Sequence, residues 1–195
     1  MMRLKIFLGT IMMLIVVFTS VLATEVKAAP RPENVKQEDR IDYLFPKGVP
    51  QSEKEMKKYL KTIKVPVCVR KETKKGKVKL KKAYVKITVH KKLANNYKKA
   101  FKEMYKKKFP IKRNEVAAFA WRKTITTEKI SVHSYGAAID INWKNNPVIN
   151  NGKSNKKNSY TITGDIANIW ETYGFYWGEN WTGNYKEPMH FEYIQ

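Results

Sequence analysis

Residues 131–140 read SVHSYGAAID and join a histidine, a turn glycine and an aspartate to the start of an apolar strand. Gly136 allows a tight turn just after His133. The strand alternation that follows divides the side chains between two faces. The apolar face predicts core packing, and it holds Ala137, Ile139 and Ile141. The other face carries Asp140 and should open toward a cleft, because a buried strand needs no aspartate unless it is paired or bound to metal.

A second short stretch, EPMHFE at residues 187–192, supplies another histidine and two acids. Two imidazoles and one carboxylate, from His133, Asp140 and His190, are the set of three ligands that a hydrolytic zinc site uses while leaving a fourth position to water. Glu187 precedes a proline, so it should be extended and able to swing over such a metal. It could accept the proton of the attacking water and pass it to the leaving amine.

Arg122 lies at the end of a predicted buried strand over 116–122, just upstream of the opening stretch. Its guanidinium could neutralise a substrate carboxylate or the developing oxyanion. Simpler explanations stay open for each site residue. His133 could be a hydrogen-bonded loop histidine, Asp140 could cap a turn, and Glu187 with His190 could be a surface pair.

The composition predicts one packed domain with an anionic partner. The chain has 195 residues, of which 43% are hydrophobic, and its formal net charge is +22. Nucleic acid, a membrane surface and an anionic cell wall are the candidate partners. The lysines are spread widely rather than gathered around aromatic stacking platforms, so nucleic acid is not expected.

The N-terminus has the pattern of a secretory signal over residues 1–28. Two basic residues precede an apolar run over 6–22, and small residues allow cleavage before Ala29, or alternatively after Ala23. An uncleaved membrane anchor is the less favoured alternative. Residues 29–50, with four prolines, predict an extended leader in which Tyr43-Leu44-Phe45 could dock on the domain, and 51–195 the folded domain. The single cysteine, Cys68, cannot form an internal disulfide and is expected in a buried strand.

The remaining patterns predict an α+β domain. Ser52 and Glu55 form a capping box for a helix over 52–63. Another helix is expected over 91–108 and a third over 164–173. Strands are expected over 65–70, 77–90, 137–142 and 189–194, and a loop over 144–160. His90 falls on the polar face of its strand, where a solvated histidine is expected rather than a third metal ligand, because no acid or histidine lies at ligand spacing around it.

Taken together, Ser131-x-His133-x-x-Gly136-x-Ala138-x-Asp140 and Glu187-x-x-His190 resemble the zinc D-alanyl-D-alanine carboxypeptidase family. That family also contains L-alanyl-D-glutamate endopeptidases of bacterial cell walls and phage lysins. The resemblance runs from about residue 116 to the end, with weaker agreement from about residue 65. Further stretches share it: Trp121-Arg122, Ile141-Asn142 and Gly174-Phe175-x-Trp177-Gly178. Glu179 departs from it, since many relatives carry a glycine there.

The resemblance implies that His133, Asp140 and His190 bind one zinc ion, that Glu187 is the catalytic acid/base, and that Arg122 and Ser131 contact substrate. It also implies a central antiparallel sheet flanked by helices, shared with the hedgehog signalling domain. The expected protein is a secreted, monomeric zinc peptidase. It would cut peptidoglycan stem peptides as a carboxypeptidase or an endopeptidase and adhere to anionic wall polymers by charge. The alternative is a catalytically silent cationic wall-binding protein of the same fold.

Overall fold

The computed structural model describes residue 41 and residues 43–124, 128–152 and 157–193. Over these ranges the chain forms an α+β domain in which antiparallel sheets pack against helices, as the sequence predicts. The predicted secretory signal and most of the predicted leader lie outside the described residues. Within the described ranges, no helix is long and apolar enough to cross a membrane.

Part of the predicted leader packs on the domain, at the Tyr43-Leu44-Phe45 stretch for which the sequence allowed docking. Leu44 and Phe45 are buried. The ring of Phe45 contacts the rings of Tyr59 and Tyr135, with centroid distances of 4.9 and 5.5 Å. The packed structure therefore begins before residue 51.

The predicted helix over 52–63 is shorter in the structure. Ser52 caps α1 (Glu53–Met56) by accepting a hydrogen bond from the Glu55 amide, as the capping box predicts, and a 3₁₀ turn follows at Lys57–Tyr59. Strand β1 then runs over Leu60–Glu72. The apolar residues after Tyr59 fit the alternation of a strand as well as the spacing of a helix. Because β1 pairs along its whole length with β2 (Val78–His90), the strand forms.

The β1–β2 hairpin buries one face of its inner half against helix α2 (Ala94–Lys106). The buried hairpin residues alternate along both strands: Ile63, Val65, Val67, Val85, Ile87 and Val89. The predicted apolar stripe of α2 faces them, and Cys68 is buried in β1 as predicted. The part of the hairpin over residues 70–82, here called the outer hairpin, is exposed apart from the half-buried Thr73.

A four-stranded antiparallel sheet carries most of the candidate site residues. Its order is β3 (Val116–Ala117), β4 (Ala138–Ile141), β8 (His190–Tyr193) and β6 (Phe175–Trp177), and helix α3 (Gly164–Thr172) packs beside β6. The strand predicted over 116–122 keeps only two residues. From Ala118 onward the backbone instead hydrogen-bonds to His133: the Ala118 carbonyl accepts from the imidazole and the Ala120 amide donates to the His133 carbonyl.

The predicted loop over 144–160 contains a short strand, β5 (Ile149–Asn150), while its residues 153–156 lie outside the described ranges. β5 pairs antiparallel with β7 (Tyr185–Lys186). This pairing joins the loop to the segment that leads into Glu187.

The prediction that His90 is solvated is wrong: its side chain is 1% exposed. Residues 43–59 fold across the end of β2 and cover the face that the alternation left polar, with the Phe45 ring centroid 5.1 Å from that of His90. The Nδ1 atom accepts a hydrogen bond from the Lys92 amide at 3.2 Å. Burial, with the nearby charges of Lys92 and Lys91, lowers the pKa of His90 to about 4.

This pKa makes folding stability depend on pH. In the unfolded chain the histidine titrates near pH 6.5. Between pH 6.5 and 4 the unfolded chain therefore binds a proton that the folded chain does not bind. The contribution of His90 to the free energy of unfolding is full above pH 6.5 and is lost as the pH falls toward 4. Between pH 7 and 4.5 this group alone should cost roughly 2–3 kcal/mol. We expect urea unfolding to show that loss in the wild type and its absence in His90→Asn, whose amide oxygen keeps the cap. Equal losses in both proteins would contradict the assignment.

Candidate metal centre

His133 lies in a short 3₁₀ helix, Val132–Tyr135, that local sequence holds at both ends. Ser131 caps its start by accepting a hydrogen bond from the His133 amide, and Gly136 ends it with a left-handed φ of 61°. A Cβ atom at Gly136 would lie 2.6 Å from the His90 amide nitrogen, so glycine is required there on two grounds. The predicted turn is confirmed.

The His133 imidazole is oriented by the backbone. Its Nδ1 atom lies 2.6 Å from the Ala118 carbonyl oxygen. A carbonyl only accepts, so Nδ1 carries the hydrogen and Nε2 keeps its lone pair. This partner fixes both the tautomer and the ring direction, as is usual for a metal-binding histidine.

Asp140 and His190 face each other across the sheet, since the register of β4 and β8 pairs these two residues directly. The Asp140 Oδ1 atom lies 3.0 Å from His190 Nδ1 and 3.3 Å from His133 Nε2, and the two imidazole nitrogens are 3.2 Å apart. Thus the structure brings together the three ligands predicted from the sequence.

These distances fit a bound zinc ion. A tetrahedral zinc with nitrogen and oxygen ligands at about 2.0–2.1 Å holds its ligand atoms about 3.3 Å apart. His133 Nε2 and the Asp140 carboxylate both present lone pairs to this space. Lone pairs that converge so closely repel one another unless a cation or a proton lies among them. The donor set therefore has the chemistry and the size of a small-cation site.

The electrostatics of the site agree with this reading. Burial raises the pKa of Asp140, but the neighbouring imidazoles of His133 and His190 outweigh it and hold the pKa well below its ordinary value. Burial lowers the pKa of His190, yet hydrogen bonds and charge from Asp140 and Glu192 together raise it to about 10. The site therefore favours a positive charge at its centre and keeps its carboxylate ionised.

A second carboxylate supports His190 from behind. Glu192 Oε2 lies 3.8 Å from His190 Nε2, the ring nitrogen that points away from Asp140 and His133. An outer carboxylate of this kind orients a ligand histidine and raises its basicity. The indole of Trp181 adds an edge-on contact, with its ring centroid 5.4 Å from that of His190.

Glu187 lies beside the ligand cluster, with Oε2 3.7 Å from His190 Nδ1. Its other oxygen, Oε1, accepts a hydrogen bond of 2.8 Å from the Tyr185 hydroxyl. Tyr185 thus holds one carboxylate oxygen while the second faces the candidate metal position. This is the arrangement expected of a base that serves a metal site.

The backbone around Glu187 is held by the segment at residues 177–178. The Glu187 amide donates to the Gly178 carbonyl at 3.2 Å, and the Trp177 indole donates to the Pro188 carbonyl at 2.8 Å. A Cβ atom at Gly178 would lie 2.4 Å from the Glu187 carbonyl oxygen. The Trp-Gly pair noted in the sequence therefore has a structural reason, since only glycine allows this approach.

Arg122 and Ser131 stand differently from the other predicted residues. Arg122 is exposed, and its charge acts on Tyr185, whose pKa is raised to about 12 by burial and by Glu187 despite the opposing effect of the arginine. It therefore lies near the Tyr185–Glu187 pair, and its Nη1 atom donates a hydrogen bond to the Lys123 carbonyl at 3.3 Å. Ser131 is buried and its hydroxyl oxygen caps the 3₁₀ helix, so substrate contact by Ser131 stays a prediction.

Four features of the site were not predicted from the sequence: the Tyr185 hydroxyl, the Ala118 carbonyl, the role of Gly178, and Glu192 as the partner of His190. Glu192 had a readable signal, because it shares a strand face with His190. Tyr185 has the same alternation relative to Glu187. The carbonyl and the glycine approach depend on contacts that are distant in sequence and leave no local pattern.

Residues 124–193 match the model of a protein family described as D-alanyl-D-alanine carboxypeptidase. The matched range includes the three candidate ligands together with Ser131 and Glu187, and it begins just after Arg122. The resemblance predicted from the sequence is confirmed over this range. No curated protein and no solved structure matches the chain. The match supports a peptidase with a metal site at His133, Asp140 and His190.

Proposed function

We propose that this protein is a secreted zinc metallopeptidase that hydrolyses peptide bonds in the stem peptides of peptidoglycan. One observation carries the proposal: three ligand atoms lie 3.0–3.3 Å apart with a carboxylate base beside them. The family match over the same residues supports the substrate class. The predicted signal at residues 1–28 supports export and contact with the cell wall.

His133, Asp140 and His190 would hold the metal. Two histidines and one carboxylate favour a transition metal over calcium and magnesium, which prefer all-oxygen sites, and the match to the carboxypeptidase family supports zinc. When bound, zinc supplies Lewis acidity and makes a coordinated water more acidic near neutral pH. The protein contributes the orientation of the ligands, with the Ala118 carbonyl fixing His133 and Glu192 fixing His190.

Glu187 would move the proton. Its Oε2 atom faces the ligand cluster and is free to accept a proton from the attacking water, while Tyr185 keeps the carboxylate turned toward the site. The same oxygen can then deliver the proton to the leaving amine nitrogen. Arg122 would bind negative charge on the substrate or on the tetrahedral intermediate from the exposed side.

The bond that is cut follows from where Arg122 meets the substrate. If it grips a terminal carboxylate, the enzyme removes the last D-alanine as a carboxypeptidase. If it contacts the oxyanion instead, the chain can extend past it, and the enzyme cuts within the stem as an endopeptidase. The description of the matched family favours the first, and we propose carboxypeptidase activity as the primary reaction.

The test combines metal analysis with digestion of purified muropeptides. The protein should be purified without chelators, its zinc measured by mass spectrometry, and the products of pentapeptide stems identified by mass. Loss of a single alanine indicates a carboxypeptidase, and release of a longer peptide indicates an endopeptidase. Chelation should abolish either activity and zinc should restore it. A zinc-free preparation that releases neither product, even after zinc is added, would overturn the proposal.

Tyr185 is expected to act as a positioning residue in this reaction. Tyr185→Phe removes the hydrogen bond to Glu187 while leaving the metal ligands untouched, so we expect kcat to fall by roughly tenfold with little change in KM or zinc content. Tyr84→Phe, which removes an exposed hydroxyl from β2, is the matched control and should be unchanged. If Tyr185→Phe instead raises KM, Tyr185 acts in substrate binding. If it lowers the zinc content, Tyr185 supports the structure of the metal site.

A further inference from the structure

One hairpin accounts for almost half of the protein's net charge of +22. Residues 60–90 contain ten lysines and one arginine against a single acid, Glu72, a net charge of +10. In the outer hairpin, residues 70–82, eight of these cations occur within thirteen residues. The outer hairpin is exposed, so its charges serve no core contact and are available to a partner.

The register of the hairpin brings positively charged residues of its two strands opposite each other. The register places Lys64 directly opposite Lys86 and Lys71 directly opposite Lys79. Like charges in directly opposed positions of an antiparallel pair destabilise it. A sequence selected for hairpin stability alone would alternate the signs. The arrangement favours the binding of an anionic chain, which would relieve this repulsion.

The base of the outer hairpin opens into a built groove. Two adjoining cavities of about 510 and 470 Å³ lie between the hairpin, residues 111–114 and the segment at 158–160. Both are lined by Arg70, Lys112 and Tyr160, and the larger one adds Lys71, Lys81, Lys82 and Arg113. Glu72 lines the smaller cavity. Among the described residues, the Lys112 Nζ atom forms an ion pair with the buried carboxylate of Glu115 at 3.5 Å, and the structure gives no such carboxylate partner to the other cations that line the groove.

The aromatic rings of this surface are covered by its own cations. The Arg70 guanidinium carbon lies 5.8 Å and the Lys112 Nζ 4.9 Å from the ring centroid of Tyr160. The Tyr84 ring is similarly approached by Lys64 at 4.5 Å and Lys82 at 5.4 Å. Binding of single-stranded nucleic acid relies on free aromatic faces for the bases. This surface instead presents closely spaced cations, which suit a polyanion without bases.

We propose that this groove and the outer hairpin bind a linear polyol-phosphate polymer, a phosphodiester chain of the kind found in cell walls. The cations would contact successive phosphates, and the bound polymer would hold the enzyme near its substrate. The choice of a wall polymer rests on the proposed function. Binding to the isolated polymer needs no hydrolysis, so failure of binding and failure of the peptidase proposal are separately visible.

The test measures binding of delipidated polyglycerol phosphate by fluorescence anisotropy over a range of salt concentrations. The variant Arg70→Gln/Lys82→Gln/Arg113→Gln removes three groove charges and spares the Lys112–Glu115 pair. We expect it to weaken binding about a hundredfold at about 50 mM salt, and to make the slope of log K against log salt shallower by about 2. The matched control, Lys98→Gln/Lys99→Gln/Lys102→Gln, removes the same charge from the exposed face of α2 and should have a much smaller effect.

Three outcomes would overturn the proposal. The wild type does not bind the polymer, both triple variants weaken binding equally, or a single-stranded oligonucleotide binds more tightly than polyglycerol phosphate at the same salt. The second outcome would show attraction to net charge without a site, and the third a nucleic-acid surface. Thermal unfolding checks that each variant is folded, and the single Lys82→Glu variant, expected to weaken binding about tenfold, keeps the test decisive if the triple variant is unstable.

Discussion

Glu187→Gln is expected to retain zinc and to lose muropeptide turnover by a factor of ~10² or more, because the amide can accept no proton from water. The substitution preserves the shape of the side chain and an oxygen for the Tyr185 hydrogen bond. Since the proposed ligands are His133, Asp140 and His190 without Glu187, zinc affinity should change little. The measurement is kcat and zinc content on the same preparation.

Glu179→Gln is the matched control for this experiment. It removes a carboxylate from the same C-terminal segment. The hydrogen bond that Lys186 donates to Glu179 goes to the backbone carbonyl and not to the side chain, so the substitution leaves it in place. It should leave turnover within about twofold of the wild type, the usual range for a surface change. Near-normal turnover in Glu187→Gln would remove the residue from the role of base. Loss of zinc in that variant would make it a ligand.

The sequence predicted the three candidate ligands but could not supply the register of the strands that carry them. The alternation on residues 137–142 predicted Asp140 on the strand face opposite Ile139 and Ile141, and in the structure those two side chains are buried in the core while Asp140 is half-buried. That Asp140 lies directly opposite His190 depends on how two strands fifty residues apart align. Local patterns carry no information on that alignment unless a short turn joins the strands.

Tyr185 shows why the support of the site was missed. Its hydroxyl reaches Glu187 from β7, and β7 exists because it pairs with β5 inside the segment predicted to be a loop. Two-residue strands have no detectable periodicity. Residues 144–160 are mostly polar and turn-forming, with Val148 and Ile149 as a short apolar pair, so local patterns predict neither β5 nor the positioning of Glu187 that depends on it.

His90 shows the same limit in the core. Its alternation places it on the polar side of β2, and the pattern itself was read correctly. A separate segment, residues 43–59, then covers that side with Phe45 and Tyr59. Tertiary contacts from a distant part of the chain overrode the local expectation. The outer hairpin has no such cover, and there the exposed lysines are as the composition suggests.

His190→Ala is expected to abolish both zinc binding and turnover. Two ligand atoms would remain, His133 Nε2 and Asp140 Oδ1, 3.3 Å apart, and two-point coordination does not retain zinc through purification. The alanine also leaves the buried Glu192 without its imidazole partner. The effect should therefore exceed that of Glu187→Gln, in which the metal stays.

A graded series separates loss of a ligand from loss of its support. Glu192→Gln keeps all three ligands and weakens only the orientation of His190, so we expect zinc affinity to fall 10–100-fold while saturating zinc restores most activity. His190→Ala should show no such rescue.

Thermal unfolding gives a readout independent of activity: zinc at about 100 times its Kd should stabilise the wild type by ~2.7 kcal/mol, a rise in Tm of roughly 5–10 °C. Glu192→Gln should require more zinc for the same rise, and His190→Ala should show none, whereas magnesium should shift no variant. A zinc-dependent rise in His190→Ala equal to that of the wild type would place the metal elsewhere in the chain.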